Sequence, residues 1–588
     1  MADSALINLS KLFPEASLKR KIFANTVQSP IESCLSIKQL NNIYSEISSR
    51  CKANPEKNFF DHSLNVLNIN YKITSGAASA IPKTGPVFVV SNHPFGAIDG
   101  LILGSILQSQ REDSKILANF LLGMMPEVQD KFISVNPFGG EKATRANLKG
   151  LRDAGQWLKS GACLATFPAG IVAHYRPEMK SIHDGPWHTN IARLARKHSA
   201  TVVPMHIEGK NSSLFHLLGR VHPRLRTAML VRELCNKCNS EVNIRIGSPI
   251  PANQFRGHET NESLVRYFQM RSDILSHQEN TEEETPLPTE QVEDITEKQD
   301  DSILAQDIEN LPPSALLCEK KAFQVYVATA DEIPHILQEI GRTREITFRA
   351  VGEGTGKALD LDQYDQLYHH IFLWNSETSE VVGAYRLGLV DEIISKHGTK
   401  GLYSSTIFQY SDDAFDSLGK TMELGRSYVI PKYQRRGTSL SLLWRGIIKF
   451  VRRNEGYSKL FGAVSISDDY HPLSKGLILR FLRKNKLQAG FAKKMKAHKK
   501  PTFEKNRSLK AFNYPDALPS LENVSGLVSE LESDKKGVPT LLKHYLQLNG
   551  VILGFGVDTS FSDALDGFIL VDLDEVNPTL LKKYEGED

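Results

Sequence analysis

Ser91-Asn92-His93-Pro94-Phe95-Gly96-Ala97-Ile98-Asp99 puts an imidazole and a carboxylate on one short turn. A carboxylate beside a histidine holds the ring in one tautomer and stabilises the imidazolium, so the pair could act as a general base. No serine in a nucleophile elbow accompanies them. The simplest chemistry is therefore direct attack by a substrate hydroxyl on an activated acyl group. Pro94 and Gly96 would shape the turn that brings the two side chains together. Taken alone, the same residues also describe a loop histidine beside a helix-capping aspartate. A second reactive group lies far downstream. Glu423-Leu424-Gly425-Arg426 leads through Pro431-Lys432-Tyr433-Gln434-Arg435-Arg436-Gly437-Thr438-Ser439 into a helix. A basic, glycine-containing turn entering a helix suits a phosphate, because free N–H groups and the helix dipole favour an anion there. The same turn also reads as a plain strand–turn–helix. Residues 423 and 426 of an ideal strand face opposite sides. They share a site only if Gly425 makes a bulge or the strand bends; the alternative is a structural ion pair.

These groups need elements to hold them. Pro86–Ser91 reads as a buried strand running into a helix over Ala97–Gln110, and Asn147–Lys159 is amphipathic. Ala162–Phe167 and Thr201–Ile207 are further buried strands, the first ending in Pro168-Ala169-Gly170. Strands alternating with helices predict an α/β sheet with its chemistry on loops at strand ends. Downstream, Ile371–Trp374 and Val381–Leu387 flank a polar turn and predict a hairpin, and Ser427–Ile430 is another strand. Leu440, Leu443, Trp444, Ile447 and Val451 then form a helical stripe that belongs to a core.

The first half resembles the glycerolipid and lysophospholipid acyltransferase family over roughly residues 60–260. Asn92-His93 with Asp99, Phe167-Pro168-Ala169-Gly170 and the strand with Val203-Pro204 carry the likeness. It implies His93 as base, Asp99 as its partner, and substrate contacts at Asn92, Gly96, Phe167, Pro168 and Gly170. Five residues separate His93 from Asp99, one more than the usual spacing, and Ala169 stands where the family has Glu. Both departures look like a branch that acylates lyso-aminolipids, which Trp187-His188 and Glu208–Ser212 also fit. The loop Val135–Gly140 could approach the acceptor head group or be a glycine-rich turn. The second half, over about 320–575, resembles the GNAT-type N-acyltransferases that make N-(3-hydroxyacyl) amino acids, and more distantly the acyl-homoserine-lactone synthases. Arg344, Phe348, Asp362-Gln363-Tyr364-Asp365, Gly383–Arg386 and Glu423 with Arg426 carry that likeness. It implies Glu423 as a base or water-positioning group and Arg344, Arg386 and Arg426 as substrate-side cations. It also implies that Gln434, Arg435 and Gly437 hold the phosphate of a phosphopantetheine-linked donor, carried by acyl carrier protein or coenzyme A.

The expected fold class is α/β: two mixed α/β acyltransferase domains, at 1–275 and 319–588. Between them, 276–318 reads as a disordered acidic linker. The window 278–310 holds 12 acids and one Lys, with no aromatics. The chain of 588 residues is 40% hydrophobic and 24% charged, which suits globular domains. Its net charge of +3 is an average: the acidic window contributes −11, leaving +14 elsewhere. Six cysteines give no disulfide framework, and Cys235–Cys238 is a lone CxxC, so no metal site is expected. No apolar run reaches the roughly 18–20 residues of a spanning helix, and no signal peptide is evident. Arg483–Lys510 carries 11 Lys/Arg against one Glu. That is a solvated loop, or a contact for anionic lipid or acidic carrier protein. Nucleic acid is not an expected partner, since stacking aromatics are not interleaved there.

The domain pair resembles the bifunctional ornithine-lipid synthases of bacteria. The C-terminal domain would transfer a 3-hydroxyacyl group from acyl carrier protein to the α-amine of ornithine, and the N-terminal domain would O-acylate the resulting hydroxyl. The expected partners are acyl carrier protein, an amino acid, a lyso-aminolipid and an anionic membrane surface. No tightly bound cofactor is expected, and the expected location is the inner face of the cytoplasmic membrane. Two other readings stand at this point. One is a phospholipid-remodelling acyltransferase with a regulatory or carrier-binding GNAT-like half; the other is an autoinducer-type N-acyl amino acid synthase.

Overall fold

The computed structural model describes residues 35–119, 125–135, 141–177, 179–278, 293–434, 437–503, 507–512, 515–559, 561 and 563–585. The chain forms two compact units, Met1–Thr281 with Ala511–Lys535, and Glu282–Lys510 with Lys536–Asp588. The loop 136–140 lies outside the described residues.

The first unit is built on strands β1 (Asn70–Ser75), β2 (Val87–Ser91), β3 (Ser114–Asn119), β4 (Phe132–Val135), β5 (Cys163–Thr166), β6 (Thr201–Ile207) and β7 (Glu241–Ile246), in the order β1-β7-β6-β2-β5-β3-β4. Neighbours from β6 to β4 pair in parallel, while β7 runs antiparallel to β6. β2 is buried along its whole length, as expected for a central strand covered on both faces. It feeds α1 (Ala97–Gln110). After β6 come α2 (Ser213–Val221) and α3 (Pro223–Asn236), and after β7 comes α4 (Asn261–Asp273).

The second unit opens with α5 (Asp301–Asn310). This corrects the reading of 276–318 as a disordered linker for the described part, 293–318. Leu304 is fully buried, and the Asp307 carboxylate accepts the His335 and Ile336 N–H groups at 2.8 and 2.9 Å. Those donors are the exposed first turn of α6 (Pro334–Arg349), where a negative charge is stabilising. Upstream, Glu293 accepts the Ala358 N–H at 2.8 Å, and its backbone runs beside Gly356. The acids that made the segment look soluble are partly spent on this unit; residues 279–292 lie outside the described ones. Strands β8 (Leu316–Lys320), β9 (Phe323–Ala328), β10 (His369–Asn375), β11 (Glu380–Leu389), β12 (Thr421–Val429), β13 (Lys459–Ile466), β14 (Val551–Asp558) and β15 (Ala564–Asp572) form one sheet, ordered β8-β9-β10-β11-β12-β13-β15-β14. β12 leads into α7 (Thr438–Arg453), whose Leu443, Trp444, Ile447 and Val451 are buried as the stripe predicts.

The C-terminal domain is not the continuous block 319–588. Residues 511–535, including α8 (Leu521–Leu531), belong to the first unit. Buried Glu530 pairs with buried Arg271 of α4 and accepts the Ser248 N–H at 2.7 Å. Arg271 also donates to Tyr267 Oη at 3.0 Å and to the Ser248 carbonyl at 3.1 Å. Removing one partner of a buried pair leaves the other charge uncompensated, which costs about 3–5 kcal/mol. Glu530→Ala should therefore lower the denaturation midpoint of the first unit while leaving that of the second in place. Urea melts followed by hydrogen exchange in each unit check this; an unchanged first-unit midpoint would refute it.

Candidate functional site

The first site forms where β2 leaves the sheet. Asn92 has both ends of its side-chain amide bonded to the next strand. Its Oδ1 accepts the Ile207 N–H at 2.7 Å and its Nδ2 donates to the Ile207 carbonyl at 2.9 Å. The side chain thus continues the β2–β6 ladder by one rung and fixes where the next residue starts. That residue is His93. Its Nδ1 lies 2.8 Å from Asp99 Oδ2, and the same oxygen accepts the Phe95 and Gly96 N–H groups at 2.9 Å each. Asp99 is fully buried in the first turn of α1, whose free amides suit a carboxylate. Gly96 makes the turn possible: its φ of 107° with ψ −116° is open to glycine and strained for other residues.

His93 is held on every side but one. Its N–H donates to Asp184 at 3.2 Å, its carbonyl accepts from Ala173 at 2.8 Å, and its ring stacks on Phe167 with centroids 4.1 Å apart. The ring remains 17% exposed. With Nδ1–H given to Asp99, Nε2 carries the lone pair, the arrangement a general base needs. Pro168 and Gly170 shape the neighbouring loop. The Pro168 carbonyl accepts the His188 N–H at 3.1 Å, and Gly170, at φ 68°, closes a turn back to the Phe167 carbonyl at 3.0 Å. Asp184 gave no sequence signal. It is buried, and desolvation pushes its carboxyl up to about 6 against the pull of His93. Trp187 donates its indole N–H to that same Asp184 at 3.2 Å, and Glu208 pairs with Arg245 at 2.6 Å.

In the second unit, β12 carries the bulge that Glu423 and Arg426 require. Ala384 pairs with Tyr428 but Arg386 pairs with Gly425, so one extra residue is accommodated. The left-handed position is Arg426 itself, at φ 49°, rather than Gly425. Glu423 and Arg426 are not an ion pair. Glu423 Oε1 accepts the Ser404 N–H at 2.8 Å, and its Oε2 accepts the Tyr368 hydroxyl. Burial pushes the Glu423 carboxyl above the usual range, opposed by those hydrogen bonds. Arg344, Arg386 and Arg426 interleave with Asp360, Asp362 and Asp365. Arg386 Nη1 is 2.5 Å from Asp362 and 3.3 Å from Asp365; Arg344 Nη1 is 3.2 Å from Asp365; Arg426 is 3.4 Å from Asp360 and 3.5 Å from Asp362. Tyr403 joins the two sets: its N–H donates to Tyr368 Oη at 2.9 Å, and Arg426 donates to its hydroxyl at 3.3 Å. Asp362, 25% exposed, is the network's most open carboxylate. Tyr368, Tyr403 and Asp360 were invisible in the sequence because no spacing pattern links them to Glu423. Beyond Tyr403 lie Asp558, which accepts its hydroxyl at 2.7 Å, and Asp566, pushed up to about 7 by burial and by the Asp558 charge.

Beside this network the sheet opens. β12 and β13 pair only from Thr421–Lys459 to Glu423–Phe461. Next to that pair, Gly462 lies so close to the Leu424 carbonyl that a Cβ would come within 2.1 Å. Gly437, at φ 65°, precedes α7, and a cavity of about 310 Å³ lies there, lined by Gly437, Leu440, Ser441, His544, Leu580 and Tyr584. Helix-start amides facing a cavity fit the phosphate of a pantetheine-linked donor. Gln434 does not face that cavity's lining: its amide caps the Val429 carbonyl at 2.8 Å. Arg435 lies outside the described residues.

Residues 41–273 match the family described as Acyltransferase, and 343–445 the family described as Acetyltransferase (GNAT) domain. The chain is 33% identical over 271 residues to a glycine N(alpha)-acyltransferase of Phocaeicola vulgatus, covering 43% of this chain and 81% of that protein. It is 26% identical over 218 residues to a lyso-glycine lipid O-acyltransferase of the same organism, covering 35% and 73%. It is 24% identical over 251 residues to an L-ornithine N(alpha)-acyltransferase of Agrobacterium fabrum, covering 41% and 77%. One polypeptide joins an acyltransferase domain to a GNAT domain: the chain belongs to the N(alpha)-acyltransferase family and is a bifunctional acyltransferase.

Proposed function

We propose that the protein makes a diacylated aminolipid in two steps. In the second unit, the α-amine of an amino acid attacks the thioester of a 3-hydroxyacyl donor. The C–N bond forms, the C–S bond breaks, and the thiol leaves with a proton. Glu423 serves as base or water-positioning group in that step, acting through its contacts because both its oxygens are engaged. Arg386 and Arg426 orient the amino acid. The donor is a phosphopantetheine thioester of acyl carrier protein, its phosphate at Gly437. In the first unit, His93 takes the proton of the new lipid's 3-hydroxyl and that oxygen attacks a second thioester: the C–O bond forms, the C–S bond breaks, and the thiol leaves with the proton that His93 returns. The observation that carries the reading is the His93–Asp99 pair, with Nδ1 fixed and Nε2 left for a hydroxyl. Carrying both sites on one chain raises the effective concentration of the intermediate for the second step. No described helix is long and apolar enough to cross a membrane; the reading places the protein peripherally on the inner face of the cytoplasmic membrane.

Ornithine is the amino acid the domain fusion favours, and buried Asp558 and Asp566 would suit its second ammonium. Glycine is the second reading, favoured by the 33% identity to the glycine enzyme against 24% to the ornithine enzyme. Purified full-length protein given both labelled amino acids and one 3-hydroxyacyl carrier-protein thioester separates them. A predominant ornithine amide supports the first reading, and a predominant glycine amide replaces it with the second.

In a host lacking aminolipids, His93→Ala should accumulate the mono-acylated amide and slow ester formation about 10²–10⁴-fold. Glu423→Gln should abolish both products, with the ester restored by added lyso-lipid. Normal diacylated lipid from His93→Ala would sink the assignment of the first site. Amide formation should rise with pH as Glu423 loses its proton. Its burial places that limb above the ordinary glutamate range. A stopped-assay pH profile in which Glu423→Gln keeps the same limb would remove Glu423 from the proton transfer.

A further inference from the structure

The hairpin of α2 and α3 leaves apolar residues in water. Leu214, Leu217 and Val221 are 40%, 58% and 71% exposed, and Leu225, just inside α3, is 42% exposed. Positions 214, 217 and 221 lie on one helix face. The opposite side of α2 is committed to the core: Phe215 is fully buried with Met229 and Val172. The charge around the stripe has one sign. From Lys210 to Lys237 there are six Lys/Arg and a single acid, Glu233. That acid is buried, and it holds the start of α2 by accepting the Ser212 N–H at 2.9 Å and its hydroxyl at 2.6 Å. The exposed charge of the hairpin is therefore entirely basic. A cavity of about 520 Å³ adjoins it, lined by His174, Tyr175, Pro177, His216, Gly219 and Arg220, with the Arg220 guanidinium stacked on Tyr175 at 4.0 Å.

We propose that the α2–α3 hairpin is the face by which the first unit docks on a bilayer carrying anionic head groups. An apolar stripe sinks into the acyl boundary while flanking arginines meet lipid phosphates. A second copy of the chain fits less well, because a two-fold contact through this patch would set basic groups against each other. The hairpin also lies against the catalytic turn. A Cβ on Gly96 would meet Leu230 of α3 and Val172, and the Lys237 ammonium sits 5.0 Å from the Phe95 ring. Phe95 and Gly96 lie between His93 and Asp99, so a lyso-lipid leaving the bilayer at this face arrives beside the base. This last step rests on the reading of the first unit as a lyso-lipid O-acyltransferase; the docking itself does not.

Full-length protein should sediment with vesicles of phosphatidylcholine and phosphatidylglycerol more than with phosphatidylcholine alone, and less as salt rises. The double variant Leu217→Glu with Val221→Glu should bind the mixed vesicles about tenfold or more weakly, at an unchanged melting temperature, since both residues are exposed. It should also keep O-acylation of a short-chain, water-soluble acceptor while losing it on a vesicle-embedded one. Vesicle binding by the variant equal to wild type would overturn the proposal. So would wild type that ignores phosphatidylglycerol, or a variant that only converts a dimer to a monomer by light scattering. If His93→Ala leaves O-acylation intact but vesicle binding tracks the hairpin, the catalytic reading fails and the docking face stands.

Discussion

Burying a carboxylate costs unless donors meet it, and the first candidate site is organised around the donors that meet one oxygen of Asp99. Asp99 has no solvent, so one oxygen collects the His93 ring N–H and two successive backbone amides. Those bonds fix the turn, the glycine within it and the tautomer of the histidine together. Asn92 anchors the turn from the strand side, and Phe167 anchors the ring from the loop side. The orientation of the His93 ring is thus set by the chain's own groups.

The second unit meets the same constraint differently. Three buried or nearly buried arginines and three aspartates alternate in one chain of ion pairs, in which Arg386, Arg426, Asp362 and Asp365 each meet two opposite charges and Arg344 and Asp360 each meet one. The bulge at Arg426 is what lets that residue join the lattice from the strand that also carries Glu423. The ladder between β12 and β13 ends at Glu423–Phe461. Bulge, lattice and opening are consequences of one strand whose pairing changes partway along.

Legibility in the sequence followed the range of the interactions. The helix Ala97–Gln110 and the strand Thr201–Ile207 were readable to the residue, because continuous apolar runs and a turn signal are local. The His93–Asp99 pair was readable for the same reason: its partners lie within seven residues. The bonds of Asn92 to the neighbouring strand were not readable because its partner is Ile207, more than a hundred residues on. Asp184, Tyr368 and Tyr403 reach their sites from loops with no periodicity. The acidic window was judged by its average composition, which hides one aspartate aimed at a helix start and one leucine in a core. A bulge at Gly425 was one of the ways the sequence left open for Glu423 and Arg426 to share a site; the register shift is there, and the residue with positive φ is Arg426.

The return of residues 511–535 to the first unit bears on how the protein is made. Domains ordinarily fold as they emerge, the N-terminal one first, at about 5–20 residues per second. Here the ribosome must add roughly 250 residues after Thr281 before Glu530 can reach Arg271. Until then a guanidinium destined for the interior has no counter-charge. Most of the first unit is translated before the second, yet the first unit is among the last parts to be finished. A nascent chain released early would lack the partner that completes it.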